Sequence, residues 1–356
     1  MTLTALDLFA GAGGLSLGLV RAGFEVVGAV DVWEPAVASY RRNFAHQAIR
    51  ADIAELTAEQ MWDRIGSPPR PLDLVVGGPP CQGFSIQRIG PDADDRNALV
   101  LEFARLVGEL APRAFLMENV TGLVGRRGSG LLARFVAAVE AQGYSVDRTV
   151  VDAADFGVPQ RRRRVIIYGW RSGEKPLLLP GETDETPAPT VAQAIGDLPS
   201  PAQSADLPGD PLHVASRMSD LNRSRLALIP PGGGFEDLPP DLRVACHRDG
   251  AARIGHRNVY GRLDPDQPAV TITARFDSFT RGKFAHPHED RNITLREGAR
   301  LQSFPDDFAF VGNPEEIAAL IGNAVPPLLA ERLGRELRRQ LECQDRAGRP
   351  VAQRLF

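Results

Sequence analysis

Short apolar runs alternate with amphipathic stretches through the first half of the chain. The apolar runs, which predict β-strands, lie at residues 3–9, 26–30, 72–76, 114–117 and 164–170. The amphipathic stretches, which predict helices, lie at residues 15–22, 34–43, 99–110 and 131–142. Strands that alternate with helices form a mostly parallel sheet covered on both faces, so the pattern predicts an α/β fold. Ligands bind such sheets outside the carboxyl ends of the strands.

The pattern changes near residue 175. Residues 176–240 are rich in Pro, Gly, Asp and Ser and have little periodicity. They predict loops and short strands in a second, irregular domain that runs to about residue 290. Order returns with a predicted helix over residues 294–302, opened by a capping box of Thr294 and Glu297. A long helix is predicted at residues 328–344.

Composition and charge narrow the class of protein. No apolar run approaches the roughly 20 residues that cross a membrane, so we expect no membrane partner. Cys81, Cys246 and Cys343 are odd in number and far apart, which argues against a disulfide framework or zinc site and favours the cytoplasm. The net charge of −4 argues mildly against nucleic acid, but residues 213–300 carry 14 basic and 11 acidic side chains. The acidic average therefore hides a locally basic region.

A glycine turn follows the first predicted strand. Gly11, Gly13 and Gly14 lie between that strand and the next helix, where backbone N–H groups can approach a ligand or simply make a tight turn. Ser16 stands where a dinucleotide fingerprint requires a third glycine, which disfavours a nicotinamide oxidoreductase. Acids at later strand ends, Asp31 for a ribose and Asp52 for an adenine, predict an adenosine ligand that lacks a pyrophosphate.

Two strand ends carry candidate catalytic groups. Cys81 follows two prolines that fix the backbone after the third strand, which favours a nucleophile over a small buried hydrophobe. Glu118 follows the fourth strand and is predicted to be partly buried, able to hold or donate a proton; a surface turn is the alternative. The polar residues 86–96 predict an active-site loop.

Four consecutive arginines precede the last apolar run. Strand alternation sends Arg162 and Arg164 to one face and Arg161 and Arg163 to the other. One pair is therefore expected to face the active site and the other pair to face solvent.

Together and in this order, these segments resemble the motifs of the DNA (cytosine-5) methyltransferase family of bacterial restriction-modification systems. The matching segments are DLFAGAGG, GGPPCQGFS, ENV, QRRRR, RNITLREGARLQSFPDDF and IGNAVPP. The resemblance implies a Rossmann-like methyltransferase fold with a smaller target-recognition domain. The implied catalytic domain spans residues 1–180 and is completed by 313–356, with recognition by 181–290 and a hinge and motif helix at 291–312.

The resemblance also implies S-adenosylmethionine as cofactor and S-adenosylhomocysteine as product. The residues implied to bind it are Phe9, Gly11, Gly13, Gly14, Asp31, Val32, Asp52, Ile53, Pro80, Leu99, Asn323 and Val325. Two positions depart from the family pattern. Arg163 stands where the family usually has an acid, and Asp31-Val32 stands where it often has Glu and an aromatic residue, so the packing of adenine is expected to differ.

The implied reaction transfers a methyl group to carbon 5 of a cytosine flipped out of duplex DNA. Cys81 would add to carbon 6, Glu118 would donate a proton to ring nitrogen 3, and Arg164, supported by Arg162, would hold the carbonyl oxygen. Predicted contacts to DNA come from Ser85, Gln87, Arg96, Thr271, Arg243, Arg248, Arg253, Arg257 and Arg275. We expect a cytoplasmic, nucleoid-associated monomer, with double-stranded DNA and a separately acting restriction endonuclease as partners, and no metal.

Three other functions compete with this one. A transfer RNA cytosine-5 methyltransferase shares most of the motifs but usually carries a Cys-Phe-Thr signature, which this sequence lacks. A catalytically inactive DNA-binding homologue is disfavoured because Cys81, Glu118 and Arg164 are all present. Amino-methylating DNA enzymes carry an aromatic residue after Pro-Pro, where this chain has Cys81.

Overall fold

A seven-stranded sheet forms the centre of the protein. The computed structural model describes residues 2–66, 69–80, 98–171, 187–201, 209–244 and 259–347. The strands of the sheet are β1 (Thr4–Leu8), β2 (Glu25–Asp31), β3 (Ala48–Arg50), β4 (Leu74–Gly77), β5 (Ala114–Val120), β6 (Ser145–Asp152) and β7 (Arg163–Trp170). They lie in the order β3-β2-β1-β4-β5-β7-β6.

The sheet is mostly parallel, as predicted. Strands β3, β2, β1, β4 and β5 pair in parallel, whereas β7 runs antiparallel to both β5 and β6. The apolar runs predicted β1, β2, β4, β5 and β7. The sequence did not predict β6, because this edge strand has only Val151 fully buried and is otherwise largely polar.

Helices cover both faces of the sheet. Those described are α1 (Gly14–Arg21), α2 (Glu34–Asn43), α3 (Ala58–Ile65), α4 (Leu99–Leu110), α5 (Ser129–Ala141), α6 (Val191–Ile195), α7 (Asp220–Leu226), α8 (Leu295–Leu301), α9 (Pro314–Asn323) and α10 (Pro327–Ala347). The predicted bounds of α2 and α4 are confirmed. Thr294 and Glu297 form the predicted capping box at α8. The short helices α3 and α9 were not predicted.

Alternating side chains of the strands build a separate core on each face. Leu6 and Leu8 of β1 pack on the side of α3, α4 and α5, whereas Ala5 packs on the side of α1 and α10. The last helix, α10, contributes leucines four residues apart to this second core, and Leu15 and Leu19 of α1 pack with them. The end of the chain therefore returns to the beginning.

The described residues between β7 and α8 form little regular structure. It holds a parallel pair of short strands, β8 (Gly261–Arg262) and β9 (Lys283–Ala285), beside α7. A small core of Leu226, Ile229, Leu238, Phe279 and Ala285 joins them. The irregularity agrees with the composition of this region, and the domain boundaries at 180, 290 and 312 remain predictions.

Leu337 tests the packing of the last helix. Leu337→Ala removes a fully buried side chain from the core shared by α10 and α1, so the free energy of unfolding should fall by about 3 kcal/mol in urea denaturation. Arg335→Ala is the matched control, since this exposed side chain pairs with Glu331 within the same helix and should change stability by less than about 0.5 kcal/mol. Equal, small effects of both changes would contradict this packing.

Candidate active site

A cavity of about 530 Å³ lies at the carboxyl ends of the parallel strands. The segments that follow β1, β2, β3 and β4 line it, together with the end of β5 and the turn between α9 and α10. This is where ligands bind in such sheets. The cofactor residues predicted from the sequence that line it are Phe9, Gly11, Asp31, Val32, Asp52, Ile53, Pro80, Leu99, Asn323 and Val325.

Asp31 ties the glycine turn to the end of β2. One carboxylate oxygen accepts a hydrogen bond from the backbone N–H of Gly11 at 2.8 Å, and the other accepts from that of Trp33 at 2.8 Å. Burial raises the pKa of Asp31, and these two donors partly offset the rise. Each oxygen keeps a further lone pair, so the side chain can still accept a hydrogen bond from a ligand hydroxyl.

Gly13 and Gly14 are not among the described residues that line the cavity. Gly13 has a φ of 102°, and a Cβ there would lie 2.4 Å from the Phe44 ring. A Cβ at Gly14 would lie 2.3 Å from the carbonyl oxygen of Val325. Both positions require glycine for packing, which accounts for these residues without the predicted contact to the cofactor.

The residue that follows Asp31 lies at the solvent-exposed edge of the cavity. Val32 lines the cavity and is 60% exposed. Trp33, which the sequence analysis did not select, also lines it. An indole one position beyond the expected aromatic residue was the signal that could have identified it.

Glu118 and Arg164 form an ion pair inside the cavity. Arg164 Nε lies 2.9 Å from Glu118 Oε1, and both side chains are largely buried. The sequence placed Glu118 after a strand that ends at Met117. In the structure β5 continues to Val120, because Val120 pairs with Arg164 across the antiparallel ladder of β5 and β7. This register brings the two side chains to the same end of the sheet.

Arg162 is a buried brace rather than a free binding group. Its terminal nitrogens donate hydrogen bonds to the carbonyl oxygens of Ile272 at 2.9 Å, Gly322 at 3.0 Å and Ala324 at 3.1 Å. Burial holds its pKa well below the usual range, and neighbouring Arg164 lowers it further. These bonds support the cavity wall; Arg162 also lines the cavity, and its support of a substrate oxygen stays a prediction. Arg161 and Arg163 are exposed, as alternation predicted.

Asn119 fixes the backbone that leads to the predicted nucleophile. Its side-chain amide donates a hydrogen bond to the carbonyl oxygen of Pro79 at 3.0 Å, and its oxygen accepts one from the N–H of Val120 at 2.8 Å. Pro80 lines the cavity directly before Cys81 in the chain. The predicted residues Cys81, Ser85, Gln87 and Arg96 lie outside the described residues.

Some of the residues predicted to bind DNA already have partners within the protein. Thr271 lines the cavity and donates its hydroxyl to the Arg161 carbonyl oxygen at 2.8 Å. Arg243 donates to the backbone of residues 236 and 238, and Arg275 pairs with Asp277 at 3.2 Å. Both arginines would have to change partners to reach a phosphate. Arg248, Arg253 and Arg257 lie outside the described residues.

Asp7 is a cavity residue that sequence reasoning missed. It lies within β1, lines the cavity and is almost fully buried. Burial raises its pKa from 3.8 to about 7, although the Ser16 hydroxyl donates a hydrogen bond to it at 2.6 Å. An acid inside an otherwise apolar strand was the signal that could have identified it.

Among the described residues, no group of three or more His, Cys, Asp or Glu side chains could hold a metal ion. No described helix is long and apolar enough to span a membrane.

The mostly parallel seven-stranded sheet, with helices on both faces and a cavity at its strand ends, is the fold of S-adenosylmethionine-dependent methyltransferases. The family model for C-5 cytosine-specific DNA methylase matches residues 3–339, so the chain belongs to this family and is a DNA cytosine-5 methyltransferase.

Relatives of similar length agree with this assignment. The type II methylase M.HgiDII of Herpetosiphon aurantiacus is 32% identical over 96% of this chain and 97% of its own. The type II methyltransferase M1.HphI of Haemophilus parahaemolyticus is 38% identical over 94% of this chain and 86% of its own. The crystal structure of a putative DNA modification methyltransferase encoded within an Escherichia coli prophage is 29% identical, with a TM-score of 0.75 over 96% of this chain and all of that one.

Asp7 makes stability depend on pH in a defined direction. Its folded-state pKa lies above its unfolded value, so the folded protein retains a proton that the unfolded chain releases. The free energy of unfolding therefore falls as pH rises from about 4 to about 7. Asp7→Asn removes this loss and should be more stable than wild type by about 2 to 4 kcal/mol at pH 8, with a much smaller gain near pH 4.

Urea denaturation at the two pH values measures the difference. The exposed residue Asp63 provides the control, because Asp63→Asn should leave the pH dependence of wild type in place. A stability difference for Asp7→Asn that does not change with pH would contradict the raised pKa.

Proposed function

We propose that the protein transfers a methyl group from S-adenosylmethionine to carbon 5 of a cytosine that is flipped out of a specific duplex DNA sequence, through a transient bond to Cys81. Membership of the family establishes methylation of cytosine in DNA. The cofactor, the flipped base and the covalent step are the finer parts of the proposal. The observation that supports them most is that the Glu118–Arg164 pair and the predicted cofactor residues line one cavity.

The described residues fit the cofactor. The cavity volume of about 530 Å³ lies within the usual range for ligand sites, about 300–1,000 Å³. Phe9, Ile53 and Leu99 offer apolar surface for an adenine, and Asp31 can accept hydrogen bonds from ribose hydroxyls. Buried Asp7 Oδ1 has no hydrogen-bond partner in the protein and suits a positive charge. When bound, S-adenosylmethionine supplies an electrophilic methyl group.

Cysteine is needed because carbon 5 of cytosine is a poor nucleophile while the ring is aromatic. Addition of the Cys81 thiolate to carbon 6 breaks the aromaticity and makes carbon 5 nucleophilic. After methylation, loss of the carbon 5 proton to water and departure of the thiolate from carbon 6 restore the ring. A free thiol is only a few per cent ionised at neutral pH, so the transition state needs further stabilisation.

Glu118 and Arg164 would provide this stabilisation together. Ring nitrogen 3 and the oxygen on carbon 2 are neighbouring positions of cytosine, and both gain negative charge during thiolate addition. A carboxyl group and a guanidinium group already 2.9 Å apart match that pair of positions. Glu118 would carry a proton when it donates to nitrogen 3, and Arg164 would hold the oxygen.

Duplex DNA must be distorted before this chemistry begins. Carbon 6 is not accessible inside the base stack, so the target would be flipped out at a cost of a few kcal/mol. Thr271, at the cavity wall, would lie near the target backbone, and the irregular region at residues 181–290 would read the sequence in the major groove. We propose that the protein acts as a cytoplasmic monomer beside a separate restriction endonuclease.

Transfer of a tritiated methyl group tests the proposal. Purified protein and S-adenosylmethionine should label duplex DNA and not transfer RNA, and bisulfite sequencing of DNA from an expressing host should place the methylated cytosine in one recurrent sequence. Cys81→Ala should lower the rate at least about 10³-fold, because carbon 5 then remains aromatic.

Cys343→Ala is the matched control, since this cysteine is exposed on α10 and should not affect the rate. Undiminished transfer by Cys81→Ala would exclude the covalent route, and preferential labelling of transfer RNA would exclude duplex DNA as the substrate.

A further inference from the structure

A chain of hydrogen bonds links the cavity to the far side of α2. The Ser16 hydroxyl donates to Asp7 Oδ2 at 2.6 Å, and the Tyr40 hydroxyl donates to Ser16 Oγ at 2.6 Å. The Tyr40 oxygen also lies 2.6 Å from Nε2 of His46. Four side chains from β1, α1, α2 and the loop after α2 therefore form one continuous path.

The middle of the path is shielded from solvent, and its two ends lie at the cavity and near the protein surface. Ser16 and Tyr40 are fully buried, and the Phe44 ring packs on Tyr40 with ring centroids 4.4 Å apart. Asp7 lines the cavity at one end. His46 is only partly buried at the other end, between two exposed residues. Gly13 belongs to this arrangement, because a Cβ there would lie 3.0 Å from the Tyr40 ring.

Asp7 pairs with no cationic side chain among the described residues. Its second oxygen, Oδ1, is buried and has no hydrogen-bond partner in that part of the chain. Its register neighbours on β2 and β4 are Ala29 and Val76, which carry no charge. Asp31 acts on Asp7 as a like charge and raises its pKa, as burial does. A cationic group of a bound ligand would therefore stabilise the ionised form of Asp7.

The other charged side chains that line the described cavity come from other strands or strand ends. Asp52 follows β3, Glu118 lies on β5, and Arg162 and Arg164 lie just before and at the start of β7. The turn between α9 and α10 contributes Gly322, Asn323, Ala324 and Val325, none of which titrates.

We propose that Asp7, Ser16, Tyr40 and His46 form a proton relay that couples the binding of a cationic ligand in the cavity to the release of a proton at His46. The ligand is the cofactor of the proposed function, on which this inference rests. S-adenosylmethionine carries two cationic groups, a sulfonium and an α-ammonium, and either could face Asp7.

The relay conserves atoms and charge. When Asp7 is neutral, its carboxyl donates its proton to Ser16 Oγ, Ser16 donates to Tyr40, and Tyr40 donates to His46 Nε2. When a cation binds, each O–H bond breaks as the next bond in the path forms, and His46 gains a proton on Nε2. His46 then loses its Nδ1 proton to water. Burial lowers the pKa of His46, so it transmits the proton and does not retain it.

The structure shows the hydrogen bonds of the ionised state. Ser16 donates to Asp7 and Tyr40 donates to Ser16, and both donations reverse when Asp7 is neutral. When the Asp7 carboxyl is neutral and no ligand is bound, the cavity does not hold two adjacent negative charges, those of Asp7 and Asp31. The positive charge of the ligand thus favours ionisation of the Asp7 carboxyl. By linkage, the site binds cationic ligands in preference to neutral ones.

Calorimetry of S-adenosylmethionine binding in two buffers of different ionisation enthalpy counts the released protons. With a pKa of about 7 for Asp7, wild type should release about half a proton per bound ligand at pH 7 and almost one proton at about pH 5.5, where the ligand's α-ammonium group stays charged. Asp7→Asn should bind with no proton release at either pH. Absence of binding by wild type would refute the proposed cofactor, whereas binding without proton release would refute the relay alone.

Stopped-flow mixing with a pH indicator dye tests whether the proton released by Asp7 travels through Tyr40 and His46. Tyr40→Phe and His46→Gln should slow proton release at least tenfold, since each removes one member of the path. Tyr144→Phe is the matched control, because this buried tyrosine donates to the Pro112 carbonyl oxygen away from the path. Release as fast in Tyr40→Phe as in wild type would overturn the relay.

S-adenosylhomocysteine identifies the cation that Asp7 senses. It lacks the sulfonium charge and keeps the α-ammonium group. Equal proton release with both ligands assigns the ammonium group, and release with S-adenosylmethionine alone assigns the sulfonium group.

Discussion

A guanidinium group that is almost entirely shielded from solvent joins three distant segments of this chain. Arg162 donates to backbone carbonyl oxygens of residues 272, 322 and 324, which belong to the return from the irregular region and to the end of α9. Removing the Arg162 side chain would leave these carbonyl oxygens without their hydrogen bonds, at a cost of about 1 to 3 kcal/mol for each buried group. The cavity wall therefore depends on a single side chain that precedes β7.

The rest of the site follows from how β7 pairs. Antiparallel pairing with β5 places Arg164 opposite Val120 and brings its side chain to Glu118. Asn119, between these two β5 residues, holds the carbonyl oxygen of Pro79 and so fixes the backbone just before Cys81. One ladder of hydrogen bonds thus positions the Glu118 carboxylate, the Arg164 guanidinium group and the backbone before the proposed nucleophile.

The sequence predicted the parallel sheet, the bounds of α2 and α4, and nearly half of the cavity lining, because apolar periodicity and strand-end chemistry are local signals. It did not predict β6, whose exposed edge lacks an apolar run, or the roles of Gly13 and Gly14, which depend on Phe44 and Val325 far along the chain. Arg162 and Arg164 lie two residues apart on one face of the predicted strand, so the sequence suggests that both face the active site in the same way. Only tertiary contacts show that one braces the wall and the other pairs with Glu118.

Addition of the Cys81 thiol to carbon 6 of cytosine gives a covalent product whose mass can be measured. Duplex DNA with 5-fluorocytosine at the target position blocks the last step, because fluorine cannot depart as a cation. After incubation with S-adenosylmethionine and denaturation, the intact mass should equal the sum of the protein, one DNA strand and one methyl group, less the hydrogen that the thiol loses. Separate masses of protein and DNA, in a preparation that methylates the unmodified duplex, would contradict covalent catalysis by Cys81.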